Sequence, residues 1–250
     1  MQNTFNQASA IKLINKNIAS TKANGQTFLY IPQIKNKLLI TAGVFNPTLT
    51  NVTPFFAKNI NIRWKGEKFL DLCTGSGFLA ILEAQKGAIV TASDINKNAL
   101  NCAKKNINRL KLNKKIKIIK SDLFSALKNK HFDTITINPP LIPIKEDTLK
   151  QNKSLLSTKK NVIKGLNQAM YDPNMTLLKR FFNKVNEHLN KNGRILIVYS
   201  NSSEKLKLNS KPIISILCKK YHFKEKKLNS LIKHGEKYTI FEISRMPSTK

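Results

Sequence analysis

Two short segments hold the side chains whose types and order are best suited to chemistry. Residues 70–81 read LDLCTGSGFLAI, in which an acid precedes a glycine-rich turn and a helical pattern. Residues 136–141 read TINPPL and end a second apolar run on an asparagine and two prolines. Glycine lets a backbone approach a ligand closely, and the first amides of a helix attract a carboxylate. The first segment therefore predicts a ligand site, and the second offers hydrogen-bond acceptors beside it.

The Asn-Pro-Pro step suits an amine as reaction partner. An amide or exocyclic amine is a poor nucleophile because its lone pair is delocalised into a π-system. Acceptors opposite its hydrogens draw the nitrogen towards sp³ geometry and aim the lone pair at an electrophile. The side-chain oxygen of Asn138 and the carbonyl of Pro139 could be these acceptors, while Pro139 and Pro140 stiffen the backbone that holds them. The alternative is an ordinary turn that ends a strand.

Two further acids follow later apolar runs. Asp94, within TASDIN, comes about twenty residues after the glycine turn, where an acid can accept hydrogen bonds from both hydroxyls of a ribose. Asp122, within KSDLF, could receive an adenine amine, with Leu123 against the ring. Each acid could instead cap a helix. Phosphate binding is another alternative, but the turn has no Gly-Lys-Ser/Thr sequence, and Ala80 stands at the third glycine position of the dinucleotide pattern. Together with the glycine turn, the acids favour a nucleoside cofactor.

The elements that must position these residues alternate short apolar runs with helical patterns. Strands are expected at residues 68–72, 88–93, 116–120, 133–138 and 194–200. Helical patterns cover residues 77–86, 96–110 and 175–190, the last closed by Asn192-Gly193, and a short segment surrounds residues 122–128. This alternation predicts a parallel sheet covered on both faces, with ligands beyond the carboxyl ends of its strands.

The flanking regions complete the predicted fold. A helix is expected over residues 8–18 and a strand at residues 27–31, and an amphipathic pattern begins near Thr50. The tail predicts a helix at residues 213–223 and a strand pair that includes residues 238–243, which would add an antiparallel edge to the sheet. Residues 145–164 form a long polar connection, interpreted as a loop or lid over the site.

The segments LDLCTGSGFLAI, SDI, SDLF and NPPL resemble motifs I to IV of the class I S-adenosylmethionine-dependent methyltransferases. The resemblance covers roughly residues 43–200. Its Asn-Pro-Pro step is similar to that of the branch that methylates nitrogen, which includes HemK-like release-factor glutamine methyltransferases and small-domain enzymes acting on RNA or DNA. The resemblance implies an α/β fold with a doubly wound, seven-stranded, mostly parallel sheet. Residues 43–250 would form this domain, preceded by an N-terminal extension at residues 1–42.

The same resemblance implies roles for individual residues. Asp71 and Gly75 would contact the methionine end of S-adenosylmethionine, Asp94 its ribose and Asp122 its adenine region. A threonine downstream of the GVFNP segment would also help to fix the cofactor. The predicted cofactor-binding residues are Thr53, Asp71, Cys73, Thr74, Gly75, Gly77, Asp94, Ile95, Asp122, Leu123 and Asn138. The predicted catalytic residues are Asn138, Pro139, Pro140 and Leu141. Cys73 is expected to be a small apolar filler, not a nucleophile.

The acceptor of the methyl group stays open at this level. Leu141 stands where the family usually has an aromatic residue, so stacking worth about 1 kcal/mol or more is lost, and Tyr171 or Phe45 would have to supply an aromatic wall. Protein glutamine and an RNA base are the expected acceptors. A small-molecule N- or O-methyltransferase and a non-catalytic nucleic-acid-binding protein that retains the fold are the alternatives.

The composition limits which binding partners and which cellular location are expected. The net charge of +30 comes mostly from lysine, which indicates either an RNA, ribosome or DNA contact or a bias towards A/T-rich codons. No apolar run approaches the roughly 20 residues of a membrane helix, and the N-terminus lacks a signal-peptide pattern. Three cysteines without a CxxC pair and four scattered histidines favour a reducing, cytoplasmic location without a metal site.

Overall fold

The computed structural model describes residues 25–142, 168–201, 211–233 and 235–247, together with residues 16, 166 and 204. The strands are β1 (Gln26–Ile31), β2 (Asn36–Thr41), β3 (Lys68–Leu72), β4 (Ile89–Asp94), β5 (Ile116–Lys120), β6 (Phe132–Ile137), β7 (Leu189–Ser200), β8 (Phe223–Lys233) and β9 (Glu236–Arg245). The α-helices are α1 (Val52–Asn59), α2 (Phe78–Lys86), α3 (Lys97–Arg109), α4 (Thr176–Val185) and α5 (Ile213–Lys220). Apart from residue 16, the expected helix at residues 8–18 lies outside the described residues, as does the connection at residues 145–164.

Seven strands form one sheet in the order β5-β4-β3-β6-β7-β9-β8. Strands β3 to β7 are parallel, whereas β9 pairs antiparallel with β7 and β8 antiparallel with β9. This arrangement confirms the predicted doubly wound sheet with its antiparallel C-terminal edge. The chain runs outward from β3 to β5 on one side and continues from β6 on the other. The adjacent β3 and β6 therefore mark the switch point, where ligands bind in such sheets.

Each face of the sheet is covered by helices over an apolar core. On one face, Phe56 of α1 and Ile81 of α2 pack against Phe69 of β3, all three fully buried. On the other face, Phe181 and Phe182 of α4 pack edge to face, with ring centroids 5.5 Å apart. Burial on both faces explains why apolar residues stand at successive positions in central strands, such as Phe69 and Leu70 of β3. No helix in the described residues is long and apolar enough to cross a membrane.

The predicted strand at residues 27–31 lies in a separate hairpin, in which β1 and β2 pair antiparallel. A buried asparagine of α3 joins this hairpin to the rest of the chain. The side chain of Asn106 accepts from the backbone N–H of Leu39 at 2.7 Å and donates to its carbonyl at 2.9 Å. It also donates to the carbonyl of Ser76 in the glycine turn, at 3.0 Å. One side chain thus connects the hairpin, α3 and the turn.

The expected end of the helix before β7 is wrong. Asn192-Gly193 does not close a helix, because α4 ends at Val185 and β7 has begun before this step. Gly193 lies where the pairing of β6 with β7 changes register, and a Cβ on it would come within 3.0 Å of the carbonyl oxygens of Asn190 and Phe132. This glycine therefore permits close backbone packing within the sheet. The segment at residues 122–128 forms turns.

Candidate functional site

A cavity of about 840 Å³ opens at the carboxyl ends of β3, β4 and β6, a volume typical of sites for small ligands. Most of the predicted site residues line it. They are Thr53, Asp71, Cys73, Thr74, Gly75, Asp94, Ile95, Asn138, Pro139, Pro140 and Leu141. Gly77, Asp122 and Leu123 do not line the cavity as the described residues define it. The fold therefore brings the two chemical segments of the sequence to one edge of the sheet.

The turn between β3 and α2 uses its two glycines differently. Both are in the left-handed region, with φ of +56° at Gly75 and +83° at Gly77. A Cβ on Gly75 would meet no atom within 4 Å, so its backbone is open to a ligand. A Cβ on Gly77 would lie 3.1 Å from the Cβ of Ala103, because α3 packs directly against the turn. Gly75 therefore suits ligand approach, and Gly77 suits helix packing.

Replacing Gly77 with alanine should destabilise the protein more than the same change at Gly66. Gly66 has almost the same φ, +85°, but a Cβ there meets nothing within 4 Å. Backbone strain alone should cost about 1–2 kcal/mol in Gly66→Ala, and overpacking against Ala103 should add at least about 1 kcal/mol in Gly77→Ala. Urea denaturation followed by circular dichroism gives both free energies of unfolding. Equal losses of unfolding free energy in the two variants would show that α3 can shift to accommodate the added methyl group without an energetic penalty.

Asp71 is a buried acid, 1% exposed, at the floor of the cavity. Its carboxylate accepts hydrogen bonds from the hydroxyls of Thr74, at 2.6 Å, and Thr136, at 3.2 Å. Burial raises the pKa of Asp71 to about 7, although the two hydroxyls act in the opposite direction. No ion pair within the described residues involves Asp71 or Asp94. A cationic ligand would therefore compensate acids that the described side chains leave without a cation.

Asp94 connects the end of β4 to the glycine turn. One carboxylate oxygen accepts from the backbone N–H of Gly75 at 3.0 Å, and the other accepts from that of Asn96 at 2.9 Å. Burial raises the pKa of Asp94, against the effect of these backbone hydrogen bonds. The helix-cap alternative does not describe Asp94, because Asn96 caps α3 by accepting from the N–H of Asn98. Asp94 faces the cavity and supports its rim.

The structure places Asp122 and Leu123 away from the cavity. The Asp122 carboxylate pairs with the guanidinium of Arg180 on α4, at 2.7 Å, and Leu123 is buried in the core on that side of the sheet. Nothing in the sequence indicates this pairing, because the partners lie 58 residues apart. Ile95 is the apolar side chain that follows Asp94 at the cavity, and it is 47% exposed. Its position suits contact with a flat ligand ring.

Asn138 directly follows β6, is half-buried and faces the cavity. Its side-chain Nδ2 donates to the Oγ1 of Thr53 on α1, at 3.1 Å. The next two residues, Pro139 and Pro140, are buried, and Leu141 packs against the core beneath α1 and α2. The hydrogen bond to Thr53 therefore holds the side chain of Asn138, and the two buried prolines hold the backbone that follows it.

Cys73 lines the cavity in a left-handed conformation, with φ of +59°. Burial raises the pKa of its thiol well above the usual range, and nearby acids raise it further. A thiol with a raised pKa is protonated at neutral pH and is a poor nucleophile. This agrees with the expectation that Cys73 fills space.

The far wall of the cavity includes residues that the sequence did not indicate. They belong to the β8–β9 hairpin and are Leu231, Lys233, Glu236 and Tyr238. The hydroxyl of Tyr238 donates to the Glu236 carboxylate at 2.6 Å. Because β9 runs antiparallel to β7, the start of β9 lies at the carboxyl edge of the parallel strands. Phe45 lines the cavity as expected, whereas Tyr171 packs behind it with Met170.

The fold is that of Rossmann-like methyltransferases. A TYW2 structure from Pyrococcus horikoshii, solved in complex with MeSAdo, superposes with a TM-score of 0.59 at 13% identity, covering 88% of this chain and 71% of that one. A tRNA m1G37 methyltransferase from M. jannaschii superposes with a TM-score of 0.59 at 17% identity, covering 91% of this chain and 59% of that one. At these identities the similarity shows the fold alone.

The sequence identifies the family. The model of the methyltransferase small domain matches residues 35–165, which is more than half of the chain, and the chain belongs to this family. This confirms the resemblance of the four motifs.

Relatives with assigned names share part of their sequence with the chain. A ribosomal protein uL3 glutamine methyltransferase from Francisella tularensis is 32% identical over 53% of this chain and 41% of its own length. A release factor glutamine methyltransferase from Borreliella burgdorferi is 34% identical over 55% of this chain and 46% of its own length. A tRNA1(Val) (adenine(37)-N6)-methyltransferase from Glaesserella parasuis is 29% identical over 61% of this chain and 59% of its own length. The chain thus spans about half the length of the relatives it matches.

Proposed function

We propose that this protein transfers a methyl group from S-adenosylmethionine to the nitrogen of an amide or exocyclic amine. The observation that carries the proposal is Asn138, which is held at the end of β6 and faces the cavity that the glycine turn and Asp94 also line. The named relatives support it, because glutamine and adenine-N6 methyltransferases both have nitrogen acceptors. The site would lie in one methyltransferase domain at residues 43–250, preceded by the extension at residues 1–42, in a cytoplasmic protein.

The cavity fits the proposed cofactor by its chemistry. S-adenosylmethionine carries an ammonium group and a sulfonium, which suit a cavity in which Asp71 and Asp94 form no ion pair within the described residues. Asp71 and the open backbone of Gly75 would hold the methionine end, and Asp94 would accept from the ribose hydroxyls. Ile95 would lie against the adenine. When bound, the cofactor supplies an electrophilic methyl group.

The residues of the chain orient the acceptor and need no titrating base before attack. The Oδ1 of Asn138 and the carbonyl of Pro139 would accept the two hydrogens of the amine, which directs its lone pair towards the methyl group. The buried Pro139 and Pro140 fix the backbone between these acceptors. The amine proton can leave to solvent afterwards. Most of the acceleration then comes from alignment of two bound substrates.

A glutamine amide in a protein of the translation apparatus is the acceptor that the observations favour. Leu141 offers an apolar surface to a small planar amide but no ring for a base to stack on. Relatives named as glutamine methyltransferases include enzymes for ribosomal protein uL3 and for release factors. An RNA adenine is the second candidate, because the net charge of +30 suits a polyanion and one relative is named as a tRNA methyltransferase.

Incubation with methyl-labelled S-adenosylmethionine and a bacterial extract tests the proposal and separates its two acceptors. We expect label in protein that persists after nuclease treatment and that acid hydrolysis releases as methylamine, because hydrolysis of an N-methylated glutamine amide gives glutamate and methylamine. Label that vanishes with nuclease would favour RNA over protein. Label confined to small molecules, or no transfer at all, would contradict the proposal. The Asn138→Ala variant is the matched control for background labelling.

A further inference from the structure

The hydrogen bond between Asn138 and Thr53 holds the asparagine side chain at the edge of the cavity. An asparagine side chain has an oxygen that accepts and a nitrogen that donates, attached to the same carbon. Because Nδ2 donates to the Thr53 hydroxyl at 3.1 Å, Oδ1, on the other side of Cγ, points away from Thr53. The reversed amide would present N–H groups to the hydrogens of an amine acceptor, donor against donor. Binding of an amine therefore requires the orientation seen in the structure, in which the Thr53 hydroxyl holds Nδ2 and leaves Oδ1 for the amine.

Thr53 is well placed to hold this orientation. It lies in the first turn of α1, where Pro54 follows it, and its side chain is only 7% exposed. Its neighbours in the helix, Val52 and Phe56, are buried in the core. A β-branched side chain in a helix has few rotamers, and burial of Thr53 restricts its movement further. The helix thus fixes the threonine, and the threonine fixes the asparagine.

We infer that Thr53 is a positioning residue that acts through Asn138, and not a residue whose main role is to contact the cofactor. The inference rests on the proposed function, because it assigns Thr53 to the acceptor side of that reaction. It differs from the role that the family resemblance implies, in which a threonine after the GVFNP segment fixes S-adenosylmethionine. The two roles differ in which kinetic quantity they change.

Replacing Thr53 with valine removes the hydroxyl and keeps the branched shape. We expect Thr53→Val to lower kcat for methyl transfer by about tenfold, since a small misplacement of a reacting group is costly. The Kd for S-adenosylmethionine, measured by calorimetry, should stay within about twofold of wild type. Thr53→Ser restores the hydroxyl and should bring kcat back to within about twofold. Thr53→Ala adds no bulk and replaces the valine variant if that variant does not fold.

A double variant tests whether Thr53 acts through Asn138. In an Asn138→Ala background, Thr53→Val should cause no further loss of kcat, because the group it positions is absent. Thr176→Val is a matched control. Like Thr53, Thr176 lies in the first turn of a helix, and its hydroxyl forms a hydrogen bond, here as donor to the carbonyl of Pro173. Unlike Thr53, it does not line the cavity. It should leave both quantities unchanged.

The outcomes separate this inference from the proposed function. A wild-type protein that transfers no methyl group would overturn the proposed function itself. With an active wild type, an unchanged kcat in both Thr53→Val and Thr53→Ala would overturn the role of Thr53 alone. Weaker cofactor binding at unchanged kcat would make Thr53 a cofactor contact. Additive losses in the double variant would show that Thr53 acts independently of Asn138.

Discussion

Replacing Asn138 with alanine should lower kcat for methyl transfer by about a hundredfold or more, the scale seen when an oriented polar group is lost from an active site. The change removes the side-chain acceptor that faces the cavity and leaves the hydroxyl of Thr53 without its partner. Because the proposed role concerns the amine, the Kd for S-adenosylmethionine should change far less than kcat. Steady-state kinetics and calorimetry on the same preparation measure both quantities.

Asn229→Ala provides the matched control for this prediction. Asn229 lies on β8, its amide donates to Asn59 at 2.9 Å, and neither residue lines the cavity. This variant should transfer methyl groups at the wild-type rate. If Asn138→Ala did so too, the Asn-Pro-Pro step would be a turn without a role in the reaction, and the assignment of a nitrogen acceptor would fail.

Replacing Asp94 with alanine should weaken binding of S-adenosylmethionine by about 10- to 150-fold, or about 1.5–3 kcal/mol, the worth of hydrogen bonds to a charged group. The variant loses the proposed acceptor for the ribose hydroxyls. It also loses the carboxylate that accepts from the N–H of Gly75, so the turn that receives the methionine end is less constrained. Calorimetric titration gives the affinity, and thermal melting shows how far the fold is affected.

Asp122→Ala is the informative comparison for Asp94. The motif resemblance implies that Asp122 contacts the adenine region, whereas the structure pairs it with Arg180 outside the cavity. We therefore expect Asp122→Ala to change cofactor affinity by less than about threefold. A loss as large as that of Asp94→Ala would return Asp122 to the cofactor site and would require this ion pair to break on binding. Unchanged affinity in Asp94→Ala would remove Asp94 from the site.

Features encoded within one short segment could be predicted from the sequence. The apolar runs at β3 and β5 were predicted with their observed ends, because a short run of apolar residues bounded by polar ones is a local signal for a strand. The glycine turn and the Asn-Pro-Pro step were predicted to meet, since parallel strands bring their carboxyl ends to one edge. The meeting of Asp71, Asp94 and Asn138 at one cavity follows from that geometry.

Features that depend on distant partners could not be predicted in this way. The pairing of Asp122 with Arg180 depends on how α4 lies on the sheet. Tyr238 reaches the cavity because β9 inserts antiparallel beside β7, and its local sequence carries no sign of this. Gly193 looked like a helix stop because glycine is common there, but close backbone contact within a sheet also requires glycine. The prediction for Gly193 was wrong because glycine is favoured in both of these structural situations.

The three hydrogen bonds of Asn106 have a consequence for how the native state opens. They join backbone groups that lie 67 and 30 residues from Asn106 along the chain, in β2 and in the glycine turn. Elements connected through one buried polar group tend to unfold together, since separating any one of them leaves that group unsatisfied. The amide protons of the hairpin and of α3 should therefore exchange with solvent as a single cooperative unit. The resistance of the ligand turn to transient opening is then set in part by a hairpin that precedes it in the chain.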